Sequence, residues 1–372
     1  NTRPVKVISR PDQYVGVTTY TGSGGARSID IGIKPDLVWF KSRNQGNGHR
    51  FVDSVRGVGK ALVPQGTDSE KSESTGLTSF DLNGYSIGSA SDYNASSPST
   101  TYVNWAWKAG GNKNTFNIDD VGYASAAAAG LDGGTITPTG ASVGTKQGFS
   151  IVQFNSQSSN GNFTVSHGLN SAPNFILMKS QTRNGGPWWI YHSSTTTAVD
   201  LYLSFTTAAT TDNIDAGGGN VWGSSLPTST TFGFTTGTGS AHTQNETVMA
   251  YCWHDVPGLQ KFGSFTGNGD ADGPFIELGF RASIVWVKRT DSTEQWYIND
   301  TERDTFNRTG KSLRAQTAAA EASVGGSNSA TWDILSNGFK LRDSGVGSNA
   351  SGGTYIYCAW AEAPSIDLYG GG

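Results

Sequence analysis

An all-β chain of three tandem antiparallel β-sandwich domains, jelly-roll or concanavalin-like, is the fold class this sequence predicts, on three observations. First, one pattern recurs. "GIKPDLVWFKSR" (32–43), "GLNSAPNFILMKSQ" (168–181) and "GFRASIVWVKRT" (279–290) each run from a glycine through a turn into an apolar strand ending at Lys41, Lys179 or Lys288. The same regions close with "TYVNWAWKA" (101–109), "TVMAYCWHD" (247–255) and "YIYCAWAEA" (355–363), so that Trp107, Trp253 and Trp360 align 66, 74 and 72 residues after those lysines. Second, apolar residues alternate with period two in short β-branched or aromatic runs bounded by glycine or asparagine. Third, 50 of the 372 residues are glycine, and only 15% are charged while 11% are aromatic, the composition of a turn-rich chain with polar, weakly charged surfaces.

In chain order, residues 1–13, beginning "NTRPVKVIS", form an extended arm, and residues 14–110 the first sandwich. Its lysine-ending strand places Val38 and Phe40 on the core face and Trp39 with Lys41 on the other; Val103, Trp105 and Trp107 of its last strand share a buried face. Residues 111–147 are rich in Gly, Ala, Ser and Thr without sustained alternation, and read as a linker holding one helical turn. The second sandwich, 148–257, repeats the pattern with Ile176 and Met178, then Met249, Tyr251 and Trp253. The third, 258–364, does so with Val285 and Val287, then Ile356, Cys358 and Trp360, and 365–372 form a tail. Between the landmarks "GKALVPQ" (59–65) echoes "GKSLRAQ" (310–316). A D-x-x-R step at Asp53–Arg56 returns at Asp300–Arg303, with His192 where the second repeat would carry its aspartate. The aligned tryptophans are core residues: burying ~150–250 Å² each at about 25 cal/mol per Å² contributes several kcal/mol to each one's own domain.

Composition narrows the function. A net charge of −4 without a basic stripe argues against nucleic acid as a partner. No stretch approaches the roughly 18–20 apolar residues of a membrane span, so membrane insertion is not expected. Cys252 and Cys358 are too few for a disulfide framework or a four-cysteine zinc site. Asn1 in place of an initial methionine reads as a processed product or a fragment.

Candidate chemistry is sparse. The G-x-S-x-G match at Gly140, Ser142 and Gly144 lies in the linker, without the strand-to-helix turn a nucleophilic serine requires, and no catalytic residue is assigned. His49, His167, His192, His242 and His254 lack metal-ligand spacing and read as solvated or turn residues. Asp270 and Asp272 in "GNGDADG" (267–273) suit calcium; no other cofactor is expected. Asp270, Asp272, Glu277, Asp300, Glu302 and Asp304 contain the residue types for a facing carboxylate pair in glycoside hydrolysis, but the other repeats are mostly not acidic there. Trp39 and Trp286, opposite the inferred core face, and Trp222 and Trp332, in the variable middle segments, are the candidates to stack on a sugar or clamp a neighbouring subunit, the alternative for Trp39 and Trp286 being that a loop or the adjacent domain covers that face. Asn-x-Ser/Thr sites stand at Asn94, Asn162, Asn245, Asn299, Asn307 and Asn349.

The stretches "ITPTGASVGTKQGFSIV" (136–152), "HGLNSAPNFILMKS" (167–180), "YCWHDVPGLQKFGSFTGNGDADGPFI" (251–276) and "LSNGFKLR" (335–342) with "NASGGTYIYCAWAEAP" (349–364) resemble a domain of unknown function found in tandem in virion proteins of tailed, mostly marine, bacteriophages. Asp270 departs from the smaller uncharged residue usual there. The resemblance implies a non-enzymatic structural and adhesion protein on the virion surface: a tail fibre, spike or head fibre. It is expected to be an extracellular homo-oligomer, with a trimer as the guess, contacting other virion proteins and a host cell-surface glycan or protein. The competing expectations are a secreted polysaccharide-degrading or glycan-binding protein, and an extracellular filament subunit assembled by strand exchange through the arm.

Overall fold

The computed structural model describes residues 8–96, 99–195, 199–211, 221–223, 226–237, 244–326 and 329–363. The chain is 41% strand and 3% helix. Nearly all strand pairs are antiparallel, the arrangement in which short alternating runs are commonest. Each repeat builds a large sheet of the same strand order. In the first repeat the order is Val15–Thr21, Thr101–Trp107, Leu37–Ser42, Arg50–Asp53; in the second, Phe149–Asn155, Thr247–Trp253, Phe175–Ser180, Trp189–His192; in the third, Gln260–Thr266, Thr354–Ala361, Ala282–Arg289, Trp296–Asp300. These are the opening, closing, lysine and outer strands. Each repeat also carries a smaller sheet: Arg27–Asp30, Gly84–Ile87 and Leu77–Asp81 in the first, Gly161–Ser166 with Thr231–Thr236 in the second, and Phe275–Glu277, Gly338–Leu341 and Trp332–Leu335 in the third.

The alternation places side chains as the sequence predicts. Val38 and Phe40 enter a core against the first small sheet, Ile176 and Met178 one against the second, Val285 and Val287 one against the third. The opposite faces are buried as well. Leu37, Trp39, Val103, Trp105 and Trp107 meet Phe175, Leu177, Met249, Tyr251 and Trp253, and also Ile284, Trp286, Ile356, Cys358 and Trp360, in one central core drawn from all three repeats. Trp107, Trp253 and Trp360 pack edge to face with ring centroids 5.4–6.2 Å apart. The expectation that each closing tryptophan stabilises its own domain is thereby corrected: the three pack on one another at a shared centre.

Equivalent contacts close the repeats into a ring. Glu70 N–H donates to Gln181 O at 2.7 Å, Ala209 N–H to Thr290 O at 2.8 Å, and Glu321 N–H to Arg43 O at 2.7 Å. The acceptors each lie two residues beyond a landmark lysine. The bonds therefore run from first repeat to second, second to third and third to first, which is cyclic pseudo-threefold symmetry within one chain.

The segment 111–147 is not a linker. Phe116–Ile118, Val121–Tyr123 and Gly140–Gly144 are strands that extend the second repeat's large sheet to seven, Gly140–Gly144 pairing with Phe149–Asn155. Alternation was invisible because Gly140–Gly144 is buried along its whole length, so no solvent-facing positions mark a period of two. Of the arm, residues 8–13 are described: Ile8 is buried and its N–H donates to Pro257 O, and Pro11–Gln13 is a single 3₁₀ turn. Residues 1–7 and the tail 365–372 lie outside the described residues. Among the described residues no helix is long and apolar enough to cross a membrane.

Candidate functional site

Ring closure consumes most of the side chains that could carry chemistry. At the start of each outer strand an aromatic N–H reaches into the neighbouring repeat. Trp188 Nε1 donates to Val63 O at 2.9 Å and Trp296 Nε1 to Tyr202 O at 2.8 Å. His49 stands at the equivalent place in the first repeat, its Nε2 donating to Thr317 O at 3.0 Å while Nδ1 accepts from Trp39 Nε1 at 2.8 Å. Four residues on, Asp53 accepts from Tyr251 Oη at 2.7 Å and Asp300 from Trp105 Nε1 at 2.9 Å, each also paired with its own arginine at 2.6 Å. His192 takes this position in the second repeat and donates from Nε2 to Tyr357 O at 3.1 Å. The D-x-x-R step and its histidine substitute thus pin each repeat to the next.

Burial corrects the reading of the histidines: His49, His167 and His192 are fully enclosed rather than solvated. Desolvation holds all three below the ordinary imidazole range, His167 and His192 at about 4. His242 lies outside the described residues. Ser142 is also enclosed, donating to Gly111 O at 2.8 Å and accepting from Gly110 N–H at 2.9 Å on a strand, so the G-x-S-x-G match is architectural.

The candidate stacking residues are corrected for the same reason. Trp39 and Trp286 face the central core, 5.1 Å apart between ring centroids. Trp222 lies in the second repeat's outer core and Trp332 in the third's. All four are at most 2% exposed, leaving no face for a sugar or a separate subunit. Of the candidate acids, Asp300 is buried in its ion pair, and Asp304 accepts from Gly310 and Lys311 N–H. Asp272 lies 3.2 Å from Lys340 Nζ and 3.0 Å from Arg342 Nη1, while Asp270 accepts from Asp272 N–H. The two cations beside Asp272 compete with calcium for that carboxylate, and among the described residues no three His, Cys, Asp or Glu side chains gather to hold a metal ion.

A family model for a domain of unknown function (DUF7483) matches residues 10–364 in a single span. The chain belongs to that family. No curated protein and no solved structure matches it. The match covers all three repeats, so the DUF7483 unit is the whole ring rather than one sandwich, the reading the tandem resemblance had suggested.

One accessible end of this DUF7483 chain is the end where the landmark lysines sit. There the opening strands lead into loops 22–26, 156–160 and 267–273. The first and third share one support. Asn94 is buried, accepts from Ser23 N–H at 2.7 Å and donates to Gly25 O at 2.6 Å; Asn349, equally buried, accepts from Asn268 N–H at 2.9 Å and donates to Asp270 O at 2.7 Å. Behind each asparagine a tyrosine closes the turn: Tyr102 Oη takes Ala95 N–H and donates to Ser91 O, and Tyr355 Oη takes Ala350 N–H and donates to Val346 O. Gly22 and Gly267 are required by close approach, because a Cβ would sit 2.5 Å from Ala95 O in one loop and 2.3 Å from Ala350 O in the other. The shared "NAS" at Asn94 and Asn349 is therefore a loop anchor, and these two side chains are not available to a glycan. Sequence reading listed them only as modification sites. Their signal was the repetition of "NAS" a few residues before the first and third closing strands.

The lysines themselves are enclosed beneath these loops. Lys179 Nζ donates to Thr67 O and Gly186 O, Lys288 Nζ to Thr206 O and Glu294 O, and Lys41 Nζ to Ser42 O and Gln45 O. Desolvation pulls their pKa values down, to about 7 for Lys41 and about 8 for the other two. The unfolded chain keeps these protons up to about pH 10, so between neutrality and that point it binds more protons than the folded chain, and stability rises with pH. Above about pH 10 the sign reverses, because burial raises Tyr85, Tyr93 and Tyr251 well above the ordinary phenol range and the unfolded chain ionises first. Urea midpoints measured across this range should pass through an alkaline maximum, and Lys41→Met should flatten the rising limb.

Proposed function

We propose that this protein is a non-enzymatic structural and adhesion component of a virion surface, a tail fibre, spike or head fibre of a tailed phage. It acts outside the cell, is held by other virion proteins, and presents loops 22–26, 156–160 and 267–273 to a host-surface glycan or protein. Each large sheet with its small one is read as a sandwich-like unit, and the ring supplies the threefold multiplicity expected of a trimer. The observation that carries the reading is that equivalent loops at one end of a closed ring share a buried Asn-and-Tyr support in the first and third repeats while their tips differ. The first tip is "GSGG"; the third is "GNGDADG", with Asp270 and Asp272 exposed. A rigid base with variable tips suits recognition, and several weak contacts from one body add avidity without any one site being strong. The motif resemblance to phage virion proteins supports the same reading.

The test is attachment of the purified chain to candidate host cells and to a glycan array. Exchanging residues 268–272 for a glycine-serine stretch, with Asn349 kept, should weaken attachment sharply and lower the melting temperature only by the little that the exposed Asp272 ion pairs supply. Retained attachment would move the contact elsewhere on the ring. Binding to no host cell or glycan would remove adhesion from the proposal.

A further inference from the structure

The opening strands of the three repeats are equivalent in position but differ at their outer edges. In the second repeat the groups that Phe149, Ile151 and Gln153 turn away from the closing strand are covered by Gly140–Gly144 and by Thr139 N–H on Gln153 O at 2.7 Å. In the third repeat Gln260 N–H donates to Val256 O and Phe262 N–H to Asp255 Oδ1 at 2.9 Å, so the first half of the edge is capped from its own turn. In the first repeat Lys108 N–H donates to Tyr14 O and Gly22 N–H to Thr100 O, which fixes the even-numbered residues toward the closing strand. Val17 and Thr19 therefore turn their backbone groups outward, and among the described residues those groups have no partner. The strand is "VGVTTYT", with no proline and no charge to block pairing.

The two ends of this edge carry opposite charge. Beside Val15–Val17 a small cavity is lined by Asp12, Glu302 and Glu362. Asp12 is paired with Arg10 and Glu362 with Arg281, whereas Glu302 has no cationic partner among the described residues. Burial and the neighbouring Asp300 push its carboxyl upward. At the other end Arg27 Nη1 donates to Thr21 O at 2.9 Å, its guanidinium 5.4 Å from the Tyr20 ring centroid. Antiparallel self-pairing brings the basic end of one copy to the acidic end of the other, so an isologous contact is complementary in hydrogen bonding and in charge.

We propose that Val15–Thr21 pairs antiparallel with the same strand of a second copy, about a twofold axis near Thr18, joining their four-stranded sheets into one continuous sheet with Arg27 of each copy beside Glu302 of the other. The second copy does for this edge what Gly140–Gly144 does for the second repeat.

Sedimentation velocity of the full chain over a wide concentration range tests it. A monomer–dimer equilibrium is expected. Val17→Pro removes an outward donor that the monomer does not use and should weaken the dimer by at least about tenfold; because the Val17 side chain also packs on the central core, the melting temperature of the dilute monomer measures its cost to the fold separately. Arg27→Glu should weaken it too, and Arg27→Glu with Glu302→Arg should restore it. A monomer at every concentration, or a dimer indifferent to both Val17→Pro and the charge exchange, would overturn the proposal.

Discussion

Replacing Trp253 by alanine should lower the stability of the entire chain by roughly 3–5 kcal/mol, in one transition that reports on all three repeats together. Trp253 touches Trp107 and Trp360 across repeat boundaries as well as Phe149 and Phe175 within its own. The void left by alanine would open at the centre of the ring. Were the repeats separate domains, one third of the chain would melt early and the rest would keep its midpoint. Trp253→Phe should cost much less, because the indole N–H has no hydrogen-bond partner and the residue contributes by packing alone. Urea unfolding followed by far-ultraviolet circular dichroism separates these outcomes. Two resolved transitions in Trp253→Ala would refute the common core.

The parity of the strands was readable because alternation is a local property: Val38 and Phe40 face one way whatever lies beyond them. What lies beyond them was not. For the face of Trp39 and Lys41 the sequence favours coverage by a loop or the adjacent domain but does not say by what, because the covering layer comes from residues far away in sequence, such as Trp286. A lysine opposite an apolar face normally marks solvent. Here it marks a carbonyl-lined niche at a junction, and only its threefold recurrence hinted that it was architectural. The same holds for Gly140–Gly144, where burial on both faces erased the pattern that identifies a strand. Ring closure was invisible for a further reason. The bonds from Glu70, Ala209 and Glu321 are made by backbone, so the three residues need not resemble one another.

Asp300→Ala should cost roughly 3–5 kcal/mol, about as much as the loss of an axial tryptophan, although far less apolar surface is involved. Asp300 and Arg303 are both fully buried, 2.6 Å apart, and the carboxylate also takes Trp105 Nε1 from the first repeat. Alanine would leave the guanidinium over the Trp105 ring with Ile298 O and Lys311 O as acceptors and only the Glu321 carboxylate, 3.6 Å away and already paired with Arg43, to offset its charge. Arg303→Met in the Asp300→Leu background should recover much of the loss, since a buried ion pair replaced as a unit by apolar groups forfeits little, whereas either half alone is destabilising. A double-mutant cycle in urea measures the coupling, and additive losses would show that the pair does not act as a unit. The second repeat supplies the internal control: His192 is neutral there and makes one bond across the junction, to Tyr357 O, so His192→Ala should forfeit only about 1 kcal/mol from that bond beyond its packing. The junctions share a geometry but not an electrostatic design. Charge is tolerated at two of them because an arginine three residues away satisfies it, and the junction without that arginine carries an imidazole that burial keeps uncharged.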